Sequence, residues 1–255
     1  MLQAHSFLWH YLWVAPNILL LGLVILSWRK KLQKQFPVFL IFALVVAIEQ
    51  LILYFADVSP SVSGETFWKF FWAGLLVEAL VKFALIGEIF SRVFSQYPSL
   101  AGLGKKVIRG VGIVLVLFAA VAAAYTRIDN PQHAVISHAH ILQQTIYLVE
   151  CGLLLAIFVF AAHFRLTWEH KTFGIALGLS ISACIHLADW AITSSGALLD
   201  RRYLLDFLNM AAYHVCVLIW FYFLLVPRKI VTTSAAPLPE HNLDTWNREL
   251  ERLLQ

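Results

Sequence analysis

Seven stretches of the chain are almost entirely apolar, and each is long enough to cross a lipid bilayer as a helix. Crossing about 30 Å of hydrocarbon takes roughly 20 helical residues, and lipid offers the backbone no hydrogen-bond partner outside a helix. The stretches, numbered spans 1 to 7, cover residues 11–28, 37–57, 67–91, 107–126, 140–164, 172–197 and 203–226. The pattern predicts an all-α, polytopic membrane bundle of seven transmembrane helices.

Basic residues lie on alternate sides of these spans. The segments that follow spans 1, 3, 5 and 7 contain Arg29, Lys30, Lys31, Lys34, Arg92, Lys105, Lys106, Arg109, Arg165, Lys171, Arg228 and Lys229. The opposite side contains Lys69, Arg127, Arg201 and Arg202. Cytoplasmic loops carry the excess of Lys and Arg, so twelve against four predicts an external N-terminus and a cytoplasmic C-terminus.

Composition supports a membrane protein and excludes some functions. The chain is 60% hydrophobic and 13% charged, whereas a soluble domain is about 45–50% apolar and about 25% charged. The apolar composition predicts the lipid bilayer as a partner. The net charge of +4 reflects the excess of basic residues in the loops on one side, so we do not expect a nucleic acid as a partner. Because Cys151, Cys184 and Cys216 all fall inside spans, we expect small buried hydrophobic residues and no structural disulfide framework.

The composition changes after the last span. Residues 1–229 form the predicted bundle, and residues 230–241 read as a flexible linker rich in Thr, Ser, Ala and Pro. Residues 242–255 predict a short cytoplasmic amphipathic helix, with apolar residues on one face between Leu243 and Leu254. We expect the segment Leu243–Leu254 to dock on a cytoplasmic or membrane protein partner, or on the inner leaflet. It is too short for an enzymatic output domain.

Polar residues inside the spans are the candidate functional residues, because an intramembrane charge costs roughly 2.5–3.5 kcal/mol on insertion scales. In the predicted orientation nearly all of them lie at the midplane or in the external half. This predicts a ligand cavity that opens to the external face and is closed below, which disfavours a continuous ion conduit. The residues predicted to line the cavity are Gln50, Glu78, Lys82, Glu150, His186, Asp189, Asp206 and His214.

Two groups of these residues allow more than one interpretation. Glu78 and Lys82 are spaced to pair along one helix, which would make them a self-neutralising structural pair. Alternatively, Lys82 pairs with the midplane Glu150 and leaves Glu78 for a ligand or a proton. Ser182, His186 and Asp189 form either an interhelical hydrogen-bond network or a metal or catalytic site. In span 6, Gly174 and Gly178 begin a stripe of small residues that lets another helix approach closely.

The layout of seven spans, an external N-terminus and a cytoplasmic tail resembles the seven-helix sensor modules of bacterial signalling proteins. It also resembles uncharacterised stand-alone bacterial seven-helix membrane proteins. The resemblance covers residues 1 to about 229. It implies a multi-pass protein of the cytoplasmic (inner) membrane and a role in signal transduction. The same topology occurs in microbial rhodopsins, but span 7 has no Lys before Lys229, so retinal is not expected.

A second resemblance rests on the pair Ser182-x-x-x-His186. It is similar to part of the pattern in the seven-helix zinc amidohydrolases, a superfamily that includes alkaline ceramidases and adiponectin-type receptors. That pattern also has a His-x-x-x-His pair on the last helix, where this chain offers only His214. A metal-dependent hydrolase is therefore an alternative hypothesis, in which His186, Asp189 and His214 would be the zinc ligands and Glu150 or Asp206 the general base.

The sequence therefore supports three hypotheses. The first is a receptor or sensor-type module that binds a ligand in an external cavity without a cofactor and signals through a cytoplasmic partner. The second is an intramembrane metal-dependent hydrolase that acts on a lipid. The third is a structural or assembly subunit of a membrane complex.

Overall fold

The computed structural model describes residues 6–95, 131–163, 166, 168–194 and 202–226, together with single helical positions at 102, 106, 110, 113 and 252. Within the helices, it leaves out the side chains of residues 131–142, 190, 193–194 and 202–203. Apart from the single positions, the predicted span 4, the linker at 230–241 and the tail helix at 242–255 lie outside the described residues.

Six α-helices make up nearly all of the described chain. They are α1 Phe7–Arg29, α2 Pro37–Val58, α3 Gly64–Val93, α4 Pro131–His163, α5 His170–Ser194 and α6 Arg202–Leu225. They correspond to spans 1, 2, 3, 5, 6 and 7, and all six are long and apolar enough to cross a membrane. The described part of the chain is therefore all-helical and has the character of a multi-pass membrane bundle.

Local signals fix where the first three helices begin. The Ser6 hydroxyl accepts a hydrogen bond from the Trp9 amide at 3.3 Å, and the Ser63 hydroxyl accepts one from the Thr66 amide at 3.2 Å. Both serines thus satisfy an amide that has no partner within its helix. Pro37 begins α2, where its missing N–H costs nothing.

The six described helices pack as a closed ring. Each helix contacts the next one along the chain, α6 returns to contact α1, and α3 also touches α5. The six described helices thus close the ring among themselves. One face of each helix is consequently turned toward a common centre.

Small residues allow α5 and α6 to approach most closely. A methyl group at Gly174 would collide with Phe223, and one at Gly178 would collide with the indole of Trp220. Trp220 is fully buried, and its indole N–H donates to the carbonyl of Ile175 at 3.3 Å. The stripe predicted in span 6 is thus the surface against which α6 packs.

One end of the ring collects basic side chains, and it is called the basic end below. Lys30 donates to the carbonyl of Leu225 at 3.1 Å, and Lys171 donates to Gln35 at 3.3 Å. Arg92 lies over the ring of Phe36, with 4.2 Å between the guanidinium carbon and the ring centroid. These contacts bring the ends of α1, α3 and α6 together with the starts of α2 and α5.

Candidate functional site

A cavity of about 230 Å³ lies at the centre of the ring. Every described helix contributes to its wall, which follows from the closure of the ring. The polar residues of the wall are Asn17, Glu49, Gln50, Glu78, Lys82, Gln143, Tyr147, Ser182, His186, Asn209 and Tyr213. The apolar ones are Leu12, Trp13, Phe42, Val46, Phe71, Leu75, Leu179, Met210 and Trp220.

Lys82 is the centre of a buried ion-pair network. Its Nζ lies 2.9 Å from Oε1 of Glu78 on the same helix and 3.5 Å from Oε2 of Glu150 on α4. Glu150 has no exposed surface, and Lys82 is 5% exposed. An isolated buried charge is very costly. The ammonium group therefore stabilises both carboxylates, although its single positive charge balances only one of them.

Aromatic stacking extends this network to α5. The Lys82 ammonium lies 4.8 Å from the ring centroid of Tyr147 on α4. Tyr147 stacks on His186 with 4.3 Å between centroids and 11° between planes. Lys82, Tyr147 and His186 therefore join α3, α4 and α5 across one side of the cavity.

On the opposite side, Asn17 connects α1 to α6. It is 1% exposed, its side-chain amide donates to the carbonyl of Trp13 at 2.6 Å, and its oxygen accepts from the Tyr213 hydroxyl at 3.2 Å. Both polar ends of this amide are thus satisfied. A lone asparagine in an apolar span was the sequence signal for this contact.

Glu49 is an acidic residue of the wall that forms no ion pair with the described residues. Its carboxylate lies against the backbone of α3 at Gly74, where a methyl group would collide with it. Its Oε2 is buried and accepts no hydrogen bond from the described part of the chain. The missing side chain of Gly74 makes room for this carboxylate beside the cavity.

A second unsatisfied acceptor belongs to Asn209. The Asn209 amide nitrogen donates to Oδ2 of Asp189 at 2.6 Å, which fixes the orientation of the amide. Its oxygen Oδ1 is buried and has no donor within the described residues. The wall therefore presents two hydrogen-bond acceptors that lack partners.

An aromatic cluster closes the cavity toward the basic end. Trp220 packs edge-on against Phe39 and Phe42, with centroid distances of 5.6 Å and 5.8 Å. Along α6, the polar wall residues Asn209 and Tyr213 lie two to three turns from Trp220 in the direction away from the basic end. The polar half of the wall is therefore the half farther from the basic end.

A second aromatic cluster lies at the other end of the cavity. Trp13, which lines the wall, packs against Trp9 at 5.8 Å and against Tyr54 at 5.7 Å. The hydroxyl of Tyr54 lies 3.1 Å from Nδ1 of His10. These contacts join α1 and α2 beside the polar half of the wall.

The structure divides the residues predicted to line the cavity. Four of the eight, namely Gln50, Glu78, Lys82 and His186, are part of the wall. Glu150 lies behind Lys82, and the two residues form the interhelical pair that was one of the two interpretations of the sequence. Glu78, however, is the closer partner of Lys82 and is not left unpaired.

The other three predicted residues lie outside the wall. Asp189 supports Asn209 from behind. His214 lies against Tyr11 of α1, with 6.0 Å between ring centroids. Asp206 is exposed in the first turns of α6. Residues that the sequence-based site omitted complete the wall: Asn17, Glu49, Gln143, Tyr147, Ser182, Asn209 and Tyr213.

The proposed zinc ligands take part in three separate contacts. His186 stacks on Tyr147, Asp189 binds Asn209, and His214 lies against Tyr11. Among the residues that the structure describes, no three His, Cys, Asp or Glu side chains are grouped to hold a metal ion.

Comparison of the chain with protein-family models, with curated proteins and with solved structures finds no match.

Proposed function

We propose that this protein is a receptor or sensor-type module of the cytoplasmic membrane, in which a small polar ligand occupies the cavity at the centre of the ring. One observation supports this most directly: a polar cavity in an apolar bundle has a wall built by all six described helices. Ligand pockets are typically concave, mostly apolar and equipped with a few placed polar groups. A ligand bound in this cavity would contact all six described helices and could therefore change how they pack against each other.

The proposed topology has seven spans, an external N-terminus and a cytoplasmic C-terminus. The clustering of Lys30, Arg92 and Lys171 at one end of the ring supports it, because positive residues favour the cytoplasmic side. In this orientation the polar half of the cavity faces outward. The aromatic cluster around Trp220 separates it from the cytoplasm.

A change in helix packing caused by ligand binding would be transmitted to the cytoplasmic side at the basic end. The contacts of Lys30 with Leu225 and of Lys171 with Gln35 join different helices there, so a change in helix packing would alter them. The segment Leu243–Leu254 would dock on a cytoplasmic partner and respond to the same change. Ligand binding can shift a conformational equilibrium only by its differential affinity for the two states.

The first experiment asks whether the cavity holds a ligand. The protein in lipid nanodiscs is screened by thermal unfolding against small metabolites that include cations, anions and neutral molecules. A ligand should raise the unfolding temperature by mass action. Ser182→Phe, which fills the cavity, should abolish the shift, whereas Ser180→Phe on the same helix but outside the wall should retain it. Absence of any stabilising compound would contradict the proposal.

The second experiment asks whether binding is transmitted. Hydrogen exchange is measured with and without a compound from the screen. A receptor should change exchange both at the cavity and in residues 30–36 at the basic end. Protection confined to the cavity helices would reject the signalling part of the proposal.

A further inference from the structure

We propose that the ligand is a small organic ammonium ion and that the Glu49 carboxylate is its counter-ion. This inference rests on the proposed function, because it assigns a ligand class to the same cavity. Three independent properties of the wall support it: the balance of charges, the kind of hydrogen-bonding group left unsatisfied, and the aromatic lining.

With its carboxylates ionised, the site carries a net negative charge. Glu49, Glu78 and Glu150 contribute three carboxylates, whereas Lys82 contributes one ammonium group. Lys82 is already shared between Glu78 at 2.9 Å and Glu150 at 3.5 Å. No cation among the described residues pairs with Glu49. A bound cation would compensate this carboxylate, whereas an anion would add to the excess.

The hydrogen-bonding groups point the same way. Two buried wall atoms lack a hydrogen-bond partner within the described part of the chain, Oε2 of Glu49 and Oδ1 of Asn209, and both are acceptors. Leaving a buried acceptor unsatisfied is costly. A primary ammonium group brings three N–H donors and no acceptor, so it is the kind of group with which either atom could pair. A carboxylate or phosphate ligand would bring further acceptors.

The aromatic lining suits an organic cation better than a metal ion. Trp13, Phe71, Tyr213 and Trp220 all line the cavity, and aromatic faces attract ammonium groups within about 6 Å. The protein already uses this attraction, because the Lys82 ammonium lies 4.8 Å from the ring centroid of Tyr147.

The size of the cavity limits the ligand. An apolar cavity of about 150 Å³ can hold benzene, so a cavity of about 230 Å³ can hold a benzene-sized group with a short aminoalkyl chain. Benzylamine is therefore a suitable probe. Benzyl alcohol and benzoate provide a neutral and an anionic counterpart of similar size, and benzyltrimethylammonium keeps the charge without N–H donors.

The test measures saturable binding of these four probes to the protein in nanodiscs, with empty nanodiscs subtracted. Benzylamine should bind more tightly than benzyl alcohol, because a charge-assisted hydrogen bond contributes roughly a tenfold to hundredfold gain. Benzoate should bind most weakly. Benzyltrimethylammonium should be weaker than benzylamine, because it leaves the Glu49 and Asn209 acceptors unsatisfied.

Two variants assign the preference to Glu49. Glu49→Gln should lower the benzylamine affinity by about tenfold or more while leaving benzyl alcohol nearly unchanged. Glu65→Gln is the matched control. Glu65 is exposed, it is not part of the cavity wall, and its carboxylate lies 2.7 Å from the Lys69 ammonium group. The probe ranking on the unmodified protein tests the inference even if Glu49→Gln fails to fold.

The outcomes separate the two proposals. Benzoate or benzyl alcohol binding as well as benzylamine would overturn the ammonium assignment and leave the cavity as a binding site. Unchanged benzylamine affinity in Glu49→Gln would also overturn it. If no amine binds saturably the assignment fails, and if the wider screen yields no ligand the receptor proposal fails with it.

Discussion

The ammonium group of Lys82 on α3 lies 3.5 Å from the carboxylate of Glu150 on α4, and both side chains are buried within the ring. This ion pair connects helices that are separated along the chain by the predicted span 4. Because Glu150 has no exposed surface, its carboxylate depends on Lys82 for compensation.

Removing the cation should therefore destabilise the bundle strongly. Lys82→Met leaves the buried Glu150 and the half-buried Glu78 without the cation that pairs with them, and breaking a buried pair costs about 3–5 kcal/mol. The free energy of unfolding in detergent measures this loss. Lys69→Met removes the exposed Lys69–Glu65 pair instead and should cost far less, because solvent screens exposed ion pairs. Equal losses in the two variants would show that Lys82 is not a buried structural cation.

The close packing of α5 against α6 should be sensitive to a single methyl group. Gly178→Ala would push into the indole of Trp220, and overpacking costs about 1–3 kcal/mol. Gly152→Ala on α4 has open space around it and should stabilise by roughly 0.5–1 kcal/mol through helix propensity. Unfolding of both variants in the same detergent checks the opposite signs. A neutral Gly178→Ala would contradict the observed approach of the two helices.

The register of α4 against α5 can be tested by oxidation. The sulfur atoms of Cys151 and Cys184 lie 3.9 Å apart, so a small movement brings them to the disulfide distance of about 2.05 Å. Mild copper-catalysed oxidation should join them, and mass spectrometry of the digested protein identifies the linked peptides. Cys216→Ala should leave the product unchanged because Cys216 is buried elsewhere. A cross-link through Cys216 would argue against this packing.

The orientation of the bundle can be tested by labelling single cysteines in a cysteine-free background. Ser61→Cys lies in the exposed connection between α2 and α3, and Lys34→Cys lies at the basic end. A membrane-impermeant maleimide applied to intact cells should label Cys at position 61 and spare position 34. After the membrane is permeabilised, both should react. The reverse pattern would invert the proposed topology.

The helices were more predictable than the site. Six predicted spans coincide with α1 to α6, although α4 begins at Pro131 and not near residue 140. Its first turns contain polar residues such as His133 and His138, so a search for apolar stretches misses them. The helix simply continues past the part that is apolar enough to lie in hydrocarbon.

The wall of the cavity depends on how each helix is rotated about its axis, which a sequence alone does not fix. His214 follows Tyr213 by one residue, a rotation of about 100°, and this places it against Tyr11 and not in the cavity. Asp206 shares a helical face with Asn209 but lies nearer the end of α6, where it is exposed. Glu49 reaches the wall of the cavity because Gly74 on α3 has no side chain to occupy that space.

The hydrogen bond from Tyr213 to Asn17 has a consequence for how the protein is made. It joins residues that are 196 positions apart, on the first and the last of the six described helices that are long enough to cross a membrane. Until α6 has entered the membrane, the oxygen of Asn17 lacks this partner and the cavity lacks one of its sides. A nascent or truncated chain would therefore carry an unsatisfied amide within the bilayer, a feature by which cellular quality control could distinguish it from the finished protein.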